Sequence, residues 1–120
     1  MKVRIPIRPM ASPRPRLGRN GVHMPKKYMQ HKKDLQAYYV GLPRFTNEEL
    51  KMDITFAFKR SKSYNKNKYA FPVGDVDNLI KTVWDSMNGI LFDDDVQITQ
   101  VCARKIYSDV DYIEFNLMRA

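Results

Sequence analysis

Cysteine, histidine and long apolar runs are what this 120-residue chain has least of. Cys102 is its one cysteine, which excludes an internal disulfide. Two histidines beside it fall short of the usual four-ligand structural zinc set. No stretch approaches the ~18 consecutive apolar residues that a membrane span requires. The opening Met1-Lys2-Val3-Arg4-Ile5-Pro6 has no apolar run of signal-peptide length. The expectation is a soluble protein of the reducing cytoplasm, away from membranes. Acids are also scarce over most of the chain. Residues 1–74 hold seventeen Lys or Arg against four Asp or Glu, whereas residues 75–120 hold four against nine. The formal net charge of +8 therefore conceals a basic front and an acidic back.

What is present suffices for a core. A hydrophobic share of 43% with seven Tyr and six Phe predicts a single domain over 1–120. Lys2 to Ile7 alternates Val3, Ile5 and Ile7 as a half-buried strand, with Pro6 marking an edge or an end. Arg8 to Lys27, including Pro13-Arg14-Pro15-Arg16, reads as an extended basic loop. Tyr28, Leu35, Tyr38 and Tyr39 fall on one helical face between Pro25 and Val40, with Gly41 placed to close the helix. Met52, Ile54, Phe56 and Phe58 alternate with polar or small residues, so Lys51 to Lys59 is a strand. Leu79, Ile80, Val83, Trp84 and Met87 form the stripe of a second helix ending at Asn88-Gly89. Val96 to Tyr107 and Val110 to Met118 read as strands joined by a hairpin turn at Ser108-Asp109. The order β-α-β-α-β-β predicts an α/β (α+β) fold, a mixed sheet with helices packed on one face.

Acidic residues facing a phosphate backbone are costly unless a cation lies between them. Asp75-Val76-Asp77-Asn78 precedes the second helix. Residues two apart share a side only on an extended chain, so both carboxylates converge only if the segment is extended. Asp77 is expected at or near the helix N-cap, where free N–H groups and the macrodipole favour negative charge. Asp93-Asp94-Asp95 follows the helix after a turn. Carboxylates gathered from both segments suit magnesium, which takes oxygen ligands and shares its shell with substrate phosphate. The plainer alternatives are helix capping for the first pair and an acidic turn for the second group. Lys81, four residues after Asp77, either pairs with it or reaches a phosphate. Spacing alone does not choose.

Asp75-Val76-Asp77-Asn78-Leu79-Ile80-Lys81, then Asp85, Asn88-Gly89 and Asp94-Asp95-Val96-Gln97-Ile98, resembles the RusA family of Holliday junction resolvases, common in prophages. The family pattern is Asp-Leu-Asp-Asn-Leu-x-Lys, a helix, then Asp-Asp-x-Gln and a hydrophobic residue. Val76 replaces the usual Leu. Three consecutive acids leave a register choice between Asp94 and Asp95, and anchoring on Gln97 selects Asp95. Ile5-Pro6-Ile7-Arg8-Pro9 and Pro13-Arg14-Pro15-Arg16 are similar to the phage branch.

The resemblance implies a homodimeric crossover junction endodeoxyribonuclease of DNA recombination and repair. It implies Mg2+, with Mn2+ able to substitute, held by Asp75, Asp77 and Asp95, and Lys81 beside the scissile phosphate. The substrate would be branched DNA, a four-way junction. Arg14, Arg16, Arg19, Lys26, Lys27, Arg60, Lys62, Lys66 and Lys68 are the expected phosphate contacts, with Tyr64 and Tyr69 placed to stack on unpaired bases. The rival expectation is a non-catalytic nucleic-acid-binding module, and a third is a protein acting on RNA.

Overall fold

Strong alternation in β4 (Leu50–Lys59) sets the plan of the molecule. Leu50, Met52, Ile54, Phe56 and Phe58 turn into the core, while Lys51, Asp53 and Thr55 face the other way and stay half-buried. The fold is a computed structural model that describes residues 1–13, 16–18, 21–60 and 71–120. Its elements are β1 (Lys2–Ile5), β2 (Arg16–Gly18), β3 (Gly21–His23), α1 (Lys26–Gln36), β4, α2 (Val76–Met87), β5 (Ile98–Ser108) and β6 (Tyr112–Arg119). Short 3-10 turns follow α1 at Ala37–Tyr39 and precede β5 at Asp95–Gln97.

The main sheet has the order β1-β6-β4-β5, with β4 parallel to β5 and antiparallel to β6, and β1 antiparallel to β6. Both helices bury their apolar stripes on one face. Leu35 and Tyr39 come from the α1 side and Leu79, Val83 and Met87 from α2. They meet Ile5 of β1, the inward residues of β4, and Ile113, Phe115 and Leu117 of β6 in one core. The opposite sheet face is polar. There Arg104 bonds Asp53 at 3.0 Å and Thr55 at 2.8 Å.

The expected hairpin between the last two strands is not formed. β5 and β6 do run in opposite directions, but β4 lies between them. A parallel neighbour of β4 requires a crossover, and α2 supplies it. The link after β5 then passes over the end of β4, where Asp111 Oδ1 accepts from the Lys59 N–H at 2.7 Å and from Arg8 at 2.9 Å. Alternation reveals which face of a strand is buried but not which strand lies beside it.

The basic loop also departs from expectation. Within it β2 and β3 pair as a small antiparallel ladder, Arg16↔His23 to Gly18↔Gly21.

Candidate active site

Helix α2 organises the acidic residues. Asp75 is its N-cap residue, with extended φ −79° and ψ 134°, and its side chain makes no capping hydrogen bond. Asp77 lies one position into the first turn. Asp77 is thus near the N-cap, as expected, with Asp75 in the capping position itself.

A groove of about 450 Å³ runs along α2, lined by Asp77, Ile80, Lys81, Trp84, Asp85 and Asp95. Asp75 lies outside it. Spacings of three, four and eight from Asp77 put Ile80, Lys81 and Asp85 on one helical face. Lys81 is exposed and makes no ion pair with Asp77 among the described residues. Asp85 Oδ2 accepts from the Tyr28 hydroxyl of α1 at 2.7 Å. Burial first, then this bond, pushes the Tyr28 phenol up to about 12, so it remains a protonated donor.

The three consecutive acids have separate roles. Asp93 accepts from Arg44 at 2.7 Å and from the Asn47 N–H at 3.3 Å, and the Arg44 bond holds its carboxyl below the usual value of 3.8. Asp94 caps the 3-10 turn, accepting from the Val96 N–H at 3.1 Å. Asp95 alone of the three lines the groove. Its carboxyl is raised above 3.8, first by burial and further by the charges of Asp94 and Asp85, while a hydrogen bond from Asn88 opposes the shift.

Gln97 braces this turn from the other side. Its Oε1 accepts from the Asp93 and Asp94 N–H groups at 2.8 and 3.1 Å, and its Nε2 donates to the carbonyls of Phe45 and Glu48 at 3.2 and 3.0 Å. All four of those bonds link the acidic turn to the strand entry at 45–48 or close the turn on itself. The residue used as a register anchor in the sequence is thus a structural one.

The described residues of one chain contain no group of three or more His, Cys, Asp or Glu that could hold a metal ion. Topology explains this. Asp77 stands at the start of α2 and Asp95 beside its end, and from Asp77 to Asn88 the helix rises roughly 16 Å. The charges that help raise the Asp95 carboxyl are those of Asp94 and Asp85. The groove therefore has a carboxylate at each end.

Of the expected phosphate contacts, Lys26 and Lys27 open α1 and are exposed. Arg60 follows β4, its guanidinium 4.4 Å over the Tyr107 ring. Arg16 lies in β2. Arg14, Arg19, Lys62, Lys66 and Lys68, with Tyr64 and Tyr69, lie outside the described residues. Lys105 on β5 donates to the Gly74 carbonyl at 2.6 Å and so ties down the backbone just ahead of Asp75. Neither Tyr28 nor Lys105 is legible as a site residue in the sequence, because each reaches it through tertiary packing.

A mixed four-stranded sheet carrying two helices, with a carboxylate-lined groove along one of them, defines a small α+β domain. The model of the family described as endodeoxyribonuclease RusA matches residues 6–117, nearly the whole chain. The chain belongs to the RusA endodeoxyribonuclease family, hydrolases that cut DNA. No curated protein matches it significantly.

Proposed function

We propose that this chain is a magnesium-dependent endonuclease that resolves four-way DNA junctions as a homodimer, in recombination and repair. The observation that supports this best is the groove on α2, where Asp77, Lys81, Asp85 and Asp95 line one surface of a protein with a strongly basic front. The donor set fits a hard divalent cation, since carboxylate oxygens are what magnesium prefers and one or two suffice when phosphate and water complete the shell.

Asp75, Asp77 and Asp95 would hold Mg2+, or Mn2+ in its place. When bound, the cation supplies Lewis-acid polarisation of the phosphate and a more acidic attacking water. The protein's own part is positioning and electrostatics. Lys81, one turn beyond Asp77, offers positive charge to the phosphate oxygens as charge builds on them. Asp85 is held by Tyr28 at the groove wall. Lys26, Lys27 and Arg60, with the other basic residues named above, bring phosphates to this surface.

The separation of Asp77 from Asp95 along α2 supports the dimer reading. An isologous contact sets two copies of one surface against each other in opposite directions. With α2 near the axis, Asp77 of one copy would approach Asp95 of the other. Two such sites suit a junction in which two equivalent strands are cut.

Asp77→Asn is expected to reduce cleavage of a synthetic four-way junction at least a thousandfold while binding is kept or tightened, since repulsion from phosphate is removed. Gel shift and cleavage on the same preparation check this, and retained cutting would overturn the assignment. A binding module would leave the DNA backbone intact in magnesium and in chelator alike. Duplex DNA and RNA run beside the junction separate junction cleavage from action on RNA.

A further inference from the structure

Asn88 follows directly on the last residue of α2, and its own N–H donates to the Trp84 carbonyl at 2.9 Å, so its backbone is fixed by the helix. Its side chain makes two bonds to a single residue. Oδ1 accepts from the Asp95 N–H at 3.0 Å, and Nδ2 donates to Asp95 Oδ2 at 3.3 Å. The two partners set the orientation of the carboxamide, because a flip would turn its NH2 toward an N–H and its oxygen toward a carboxylate.

The neighbouring acids sharpen the point. Asp93 is neutralised by Arg44, and Asp94 is occupied in capping. Asp95 receives instead a neutral amide on one oxygen, and its nearest charged neighbours are carboxylates, Asp94 and Asp85, rather than a cation. A cationic partner would compete with a metal ion for the carboxylate. A neutral donor orients it and leaves its charge in place.

We infer that Asn88 is the positioning residue for Asp95: by gripping the backbone N–H and one carboxylate oxygen together, it presents the other oxygen to a divalent cation in the groove. This rests on the reading of Asp95 as a cation ligand. It also gives α2 a second role, since the helix that carries Asp77 and Lys81 at one end sets the aim of Asp95 from the other. Removing such an outer hydrogen-bond partner weakens metal affinity by about 10–100-fold in characterised sites.

The test uses the full chain and three variants, Asn88→Ala, Asp95→Asn and the double substitution. Mn2+ affinity is read from the free-ion electron paramagnetic resonance signal, beside the Mg2+ concentration that gives half-maximal junction cleavage. Asn88→Ala is expected to weaken both by about tenfold or more, with junction binding in chelator unchanged. In the Asp95→Asn background it should add no further loss, since two residues acting as one unit do not add. If Asn88→Ala fails to fold, Asn88→Ser, too short to span both partners, is judged by the same criteria. Loss of Mn2+ affinity in Asp95→Asn but not in the Asn88 variant would overturn the positioning role and leave the metal reading standing. Unchanged affinity and cleavage in Asp95→Asn would overturn the metal reading itself, and this inference with it.

Discussion

Asp95 shows how one side chain records the cost of assembling an acidic site. Its carboxyl titrates above the ordinary 3.8 because burial and the charges of Asp94 and Asp85 disfavour ionisation more than the Asn88 bond favours it. A carboxyl whose folded value is raised destabilises the fold when ionised, and the penalty vanishes below its unfolded value. Asp95→Asn, which imitates the neutral form, is therefore expected to raise the melting temperature at neutral pH in chelator. The gain should shrink as pH falls through the raised folded value and disappear below about 3.8. Thermal melts from pH 3 to 7 check this. Equal melting of the two proteins at pH 7 would count against it. Magnesium should stabilise the parent chain and not the variant.

Among the elements, α2 was the most legible in the sequence, because Leu79, Val83 and Met87 recur at helical spacing and all three are buried. The strands were legible for the same reason, with buried Ile54 between half-buried Asp53 and Thr55, and buried Phe115 between half-buried Glu114 and Asn116. Pairing was not. Nothing in Ile98–Ser108 says that its neighbour is β4 rather than β6, since the choice depends on a crossover helix some distance away. The site was legible only in part. Asp75, Asp77, Lys81 and Asp95 stand out in the sequence, but their separation along α2 follows from helix length, and the Tyr28 bond follows from packing between α1 and α2. That bond is a testable link between the helices. Tyr28→Phe should lower stability by about 1 kcal/mol, the ordinary worth of such a hydrogen bond. Denaturant unfolding checks it, and no loss would mean that Asp85 finds an equal partner in water.

At the scale of the whole molecule, charge and topology address the same problem. The basic front attracts a polyanion, and the groove on α2 provides the acids that would hold a cation against it. In one chain those acids stand at opposite ends of the groove, so a site shared between two copies makes a specific demand. Equal mixtures of Asp77→Asn and Asp95→Asn chains, each inactive alone, should recover nicking, because half of the mixed dimers' sites would contain neither substitution. A mixture as inactive as its components would place the site within one chain.

The most direct measurement is cleavage of a synthetic four-way junction by the parent chain, with magnesium and with chelator, resolved strand by strand. The account predicts paired nicks at symmetric positions on opposing strands, present only with the metal. Cutting that persists in chelator, or an intact junction at every magnesium concentration, would contradict it.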